Sequence, residues 1–78
     1  MISVKLFGIA KDIVGSSTLK IEQDFSTVDE LLNYLKFEYP AFKDLTSLLV
    51  AINDEYANNT AIIENEDEVA IIPPVSGG

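Results

Sequence analysis

The chain contains no cysteine and no histidine. The first absence excludes disulfides, thiol nucleophiles and a persulfide carried on a side chain, and the second removes the usual metal ligand and the usual general base. Conventional side-chain catalysis is poorly supplied, and no bound metal or cofactor is expected. Basic residues are few: five against 13 acidic ones leave a net charge of −8. Such a charge repels phosphate backbones and anionic lipid, so neither nucleic acid nor a membrane is an expected partner. It steers the chain instead toward a protein with a basic docking surface. No apolar run approaches the roughly 20 residues of a membrane span, and Met1-Ile2-Ser3-Val4-Lys5 lacks the features of a secretory leader. A cytoplasmic location is expected. There is no G-x-x-x-x-G-K-[ST] loop, so any nucleotide chemistry must come from another protein.

What is present is one efficient small domain: 78 residues, 47% hydrophobic, without internal repeats. Ile2, Val4 and Leu6 alternate with Ser3, Lys5 and Phe7, which predicts a first strand ending at Gly8 with Phe7 turned away from the core face. Ile9 to Val14 has the pattern of a brief helix stopped by Gly15, and Thr18 to Gln23 alternates again, giving an antiparallel partner for the first strand. Thr27-x-x-Glu30 has capping-box spacing, and Val28, Leu31, Leu32 and Leu35 form a single apolar stripe that Pro40 brings to an end. Ala41 to Thr46 reads as irregular or briefly helical. Leu48 to Ile52 reads as a strand closed by the turn Asn53-Asp54-Glu55, and Ala61 to Ile63 as a short edge strand. A last strand, Glu68 to Ile72 with Val69 and Ile71 inward, ends at Pro73-Pro74. The expected class is α+β, a mixed four- to five-stranded sheet with one main helix packed across it. Residues 1–72 form the domain and residues 73–78 a flexible tail.

The tail Pro73-Pro74-Val75-Ser76-Gly77-Gly78 is the functional signal. Two prolines stiffen its base, and glycines without Cβ atoms let its tip enter a narrow channel. Six extended residues reach about 19 Å, enough to enter another protein's active site. A carboxylate is a poor electrophile and needs activation by an ATP-using partner.

Phe7, the segment Lys11-Asp12-Ile13-Val14-Gly15, the run Asp67 to Ile72 and the Pro-Pro-Val-Ser-Gly-Gly end together resemble the small subunit of molybdopterin synthase, over essentially the whole chain. The resemblance implies a ubiquitin-like β-grasp fold and a sulfur carrier. It implies that a ubiquitin-activating-enzyme-like adenylyltransferase uses ATP to activate Gly78, and that a sulfur donor converts it to a thiocarboxylate. Gly77 gives the tail passage into the large subunit, where sulfur passes to a pterin precursor, and the complex is a heterotetramer. The enzyme is then the complex, since this chain has no active site of its own. The resemblance also puts Phe7 in the subunit interface. Because the first and last strands of a β-grasp sheet are neighbours, Phe7 is expected to join outward Ile72 in an apolar docking patch, with Pro73, Pro74, Val75 and Ser76 completing the interface beside it.

Other residues carry less. Lys11 is unassigned, Glu64, Glu66, Asp67 and Glu68 read as a solvated turn, and the sequon at Asn58 has no secretory context. Three other functions share the features: a thiamine-pathway sulfur carrier, disfavoured by the Pro-Pro-Val-Ser spacer; a ubiquitin-like modifier joined through Gly78 to lysines; and a β-grasp interaction module without acyl chemistry.

Overall fold

The alternation at the start of the chain produces strand β1 (Ile2–Leu6), with Ile2, Val4 and Leu6 fully buried. The computed structural model describes residues 1–45 and 48–73. Helix α1 (Gly8–Val14) follows at once and stops at Gly15, whose φ of 86° lets its N–H reach the Lys11 carbonyl at 2.8 Å. Strand β2 (Thr18–Ile21) then pairs antiparallel with β1, Ile2 opposite Ile21 and Val4 opposite Leu19. It is shorter than the alternation through Gln23 predicts.

Helix α2 (Val28–Glu38) begins where the capping signal lies, with Thr27 Oγ1 accepting the Glu30 N–H at 3.4 Å. The reciprocal bond differs from a standard box. The Glu30 carboxylate accepts the N–H of Ser26 at 2.9 Å, one residue before the cap. Val28, Leu31, Leu32 and Leu35 are all buried, as their spacing predicts. Glu38 ends the helix, and Pro40 opens a 3₁₀ helix (Pro40–Asp44), where the missing proline N–H is no loss. This short helix carries Phe42, completely buried with its ring edge-on to Tyr39 at 6.2 Å.

Three strands complete the sheet: β3 (Leu49–Ile52), β4 (Glu55–Ala57) and β5 (Glu68–Ile72). Their order is β2-β1-β5-β3-β4, with β1 and β5 parallel at the centre and the other pairs antiparallel. Val69 and Ile71 are fully buried. The mixed five-stranded sheet crossed by a main helix is the expected β-grasp arrangement. Among the described residues no helix is long and apolar enough to cross a membrane.

The edge strand is a correction. Ala61–Ile63 makes only an isolated bridge, Ile62 to Thr27, and the sheet edge is instead β4. Asn53 and Asp54 both take positive φ, 50° and 72°, which closes a tight hairpin and leaves Glu55 free to start β4. The segment before Ile63 has another partner. Carbonyls of Asn59 and Ala61 accept the N–H groups of Asp29 and Val28 at 2.9 and 3.0 Å, satisfying donors that the first turn of α2 cannot pair internally.

Candidate functional site at the root of the carboxyl-terminal segment

Phe7 is the hinge between β1 and α1. Its backbone is extended (φ −125°, ψ 155°), so the alternation of β1 continues through it and its side chain stays on the face of Lys5, away from the core. Its ring is 48% exposed. The sheet register then assembles a surface around it. Lys5 lies opposite Ala70, Ala70 opposite Ala51, Ala51 opposite Tyr56, and Ile72 opposite Leu49. Opposite residues share a face, so Phe7, Ile72, Leu49, Ala70, Ala51 and Tyr56 lie on the side of the sheet that α2 does not cover. Leu49 and Tyr56 are 53% and 74% exposed. The expected pairing of Phe7 with outward Ile72 is thus part of a broader apolar face, ringed by the exposed Lys5–Glu68 ion pair at 3.2 Å.

Pro73 follows β5 and is buried. It seats against Gly8, where φ is +55° and an added Cβ would stand 3.2 Å from the Pro73 Cγ. The β1–α1 corner therefore holds the base of the carboxyl-terminal segment at the rim of the apolar face. The predicted site residues Pro74, Val75, Ser76, Gly77 and Gly78 lie outside the described residues.

Sequence reasoning missed Gly8, Leu49 and Tyr56. Leu49 carried a signal, since in a strand containing buried Val50 its parity is outward; the Gly8–Pro73 contact carried none. Lys11 lies with Lys5, Phe7, Gly8 and Thr18 around a shallow cleft of about 470 Å³ beside that corner. The acidic turn is structural: Asp67 Oδ2 accepts the Glu64 N–H at 2.8 Å and Asp67 Oδ1 accepts from Asn53 Nδ2 at 3.0 Å. At Asn58, Oδ1 accepts from the N–H and hydroxyl of Thr60, a local turn.

The sheet order, with the first and last strands parallel at its centre, and the helix across one face define a ubiquitin-like β-grasp protein. Residues 4–78 match the ThiS family. A molybdopterin synthase sulfur carrier subunit of Arabidopsis thaliana is 38% identical over 79 residues, covering 99% of this chain and 82% of that protein. The chain belongs to the ThiS family, among its molybdopterin synthase sulfur carrier subunits. The Escherichia coli protein of that name is 32% identical over 82 residues and is covered completely, as is this chain. Among solved structures, SAMP1 from Haloferax volcanii superposes with a TM-score of 0.81 at 30% identity, covering 99% of this chain and 98% of that one. A chain from the complex of subunits 1 and 2 of the molybdopterin-converting factor of Helicobacter pylori shares the fold, with a TM-score of 0.68 at 23% identity over 99% and 97% of the two chains.

Proposed function

We propose that this chain is the cytoplasmic sulfur carrier subunit of a molybdopterin synthase and that the Gly78 carboxylate is its working group. The observation that carries this reading is the root of the tail: Pro73, seated on Gly8, sends the chain toward its Gly-Gly end from the rim of an exposed apolar face. A partner docked on Phe7, Ile72 and Leu49 receives that end at its own surface. The relatives named molybdopterin synthase sulfur carrier subunits, and the fold-mate found with a second converting-factor subunit, support a large subunit as that partner.

The chemistry follows from what a carboxylate lacks. On an adenylating partner, the Gly78 carboxylate oxygen attacks the α-phosphorus of ATP and pyrophosphate leaves, giving an acyl adenylate. A sulfur donor at the sulfide level then attacks the acyl carbon and AMP leaves, giving a thiocarboxylate. In the large subunit that sulfur attacks a carbon of the pterin precursor and displaces an oxygen substituent from it. Water then cleaves the resulting thioester, leaving the sulfur on the pterin as a thiol and returning the Gly78 carboxylate. No side chain of this protein need enter the reaction. Its own contribution is placement, because Pro73 is held against Gly8 and so fixes where the tail leaves the domain.

The test is the intact mass after incubation with ATP, an adenylating partner and a sulfur source. A gain equal to one oxygen replaced by one sulfur, absent in a chain lacking Gly78, is expected. An unchanged mass, with the partner active on another carrier, overturns the reading. The likeness to SAMP1, whose relatives are described as small archaeal modifier proteins, favours a second use, amide formation between Gly78 and lysines of other proteins. Covalent ladders in extract that require Gly78 are its signature.

A further inference from the structure

Helix α2 buries one stripe and leaves another uncovered. Glu30, Tyr34, Phe37 and Glu38 line an open cleft of about 550 Å³ together with Asp24 and Phe25 from the segment before the helix. Phe37 is 81% exposed, more than any other large apolar side chain among the described residues. In the same cleft the Phe25 and Tyr34 rings meet at 5.2 Å with their planes tilted by 57°. The cleft is thus aromatic within and acidic around. No lysine lines it, and the ion pair found among the described residues, Lys5–Glu68, lies on the opposite face of the sheet. Glu30 has one oxygen committed to the Ser26 N–H. Asp24 and Glu38 have no ion-pair partner among the described residues.

We propose that this cleft docks an arginine-bearing segment of a partner protein. Aromatic faces beside unpaired carboxylates match a guanidinium specifically, because that group is planar, weakly hydrated and forked. It can stack on a ring while donating two parallel N–H bonds to one carboxylate. An ammonium offers neither the plane nor the fork, and it gives up more hydration on leaving water. An acidic surface alone attracts any cation. The exposed Phe37 ring is what makes the cleft selective. Because α2 covers the sheet face opposite the one bearing Phe7 and Ile72, the cleft and that face lie on opposite sides of the sheet. The proposal stands apart from the sulfur-carrier reading.

The test is a magnetic-resonance titration of the isotope-labelled full chain with acetyl-Gly-Arg-Gly-Arg-Gly-amide, and with the same peptide carrying lysine for arginine. Saturable shifts confined to residues around Phe25, Tyr34 and Phe37 are expected, with the arginine peptide binding about threefold or more tightly than the lysine one. Phe37→Ala should weaken the arginine peptide about fivefold. Phe37→Tyr, which keeps a ring face, should retain the preference, and both variants should give wild-type spectra when free. Sulfur loading of Gly78 should be unaltered in Phe37→Ala. Equal binding of the two peptides, shifts centred on the acidic turn Glu64 to Glu68, or undiminished binding by a folded Phe37→Ala chain each overturn the proposal and leave only attraction to net charge.

Discussion

Two adjacent residues, Phe7 and Gly8, do opposite things with one corner of the backbone. Phe7 keeps the strand conformation and turns its ring outward, so its removal takes nothing from the core. Phe7→Ala is expected to leave the unfolding midpoint within experimental error while weakening the large-subunit complex by about 2 kcal/mol, the cost of losing an aromatic anchor. Calorimetric titration of a variant shown to be folded checks this, and wild-type affinity would place the interface elsewhere. Gly8 works inward. At φ +55° any side chain is strained, and here the Cβ would also press on the Pro73 ring at 3.2 Å. Gly8→Ala should cost about 1–2 kcal/mol in urea unfolding. No loss would mean that the corner relaxes and that the seat of Pro73 is looser than its packing indicates.

Elements differ in how openly their residues announce them. Helix α2 was legible because one stripe, one cap and one proline agree, and tertiary structure had nothing to overrule. Strands β1 and β5 were legible through alternation, and with them the outward setting of Phe7 and Ile72. The hairpin to β4 was not, because Asn-Asp signals the left-handed pair more weakly than Asn-Gly, and the strand beyond it has only three residues. Phe42 was hidden for a related reason: a single buried ring in a 3₁₀ helix has no period to reveal it. The seat of Pro73 depends on residues near opposite ends of the chain, which local patterns do not record. The hairpin also rests on a distant contact. Asn53 Oδ1 accepts the Glu68 N–H at 3.0 Å while Nδ2 donates to Asp67, tying the β3–β4 turn to the start of β5. Asn53→Ala loses both bonds and strains the backbone, so a cost of about 1–3 kcal/mol is expected. Asn53→Gly loses the bonds alone and should be the milder by about 1 kcal/mol. Equal midpoints for the two variants would assign the whole effect to the hydrogen bonds.

The charge of the whole molecule acts at longer range than either face. A net −8 on 78 residues works against compactness, and the half-exposed Lys5–Glu68 pair, the one ion pair among the described residues, offsets little of that repulsion. What the charge can serve is encounter. The apolar face around Phe7 has no reach beyond contact distance, whereas an acidic molecule approaching a basic docking surface is drawn and oriented before it touches. Steering and contact therefore separate in kinetics. Raising salt from about 0.05 to 0.5 M shortens the screening distance roughly threefold and should slow association with the large subunit about tenfold or more, with dissociation nearly unchanged. Phe7→Ala should do the reverse, speeding dissociation and leaving association almost as it was. Stopped-flow measurements on both proteins across that salt range test the division. An association rate indifferent to salt would mean that the partner presents no basic surface, and that the acidic excess serves solubility rather than recognition.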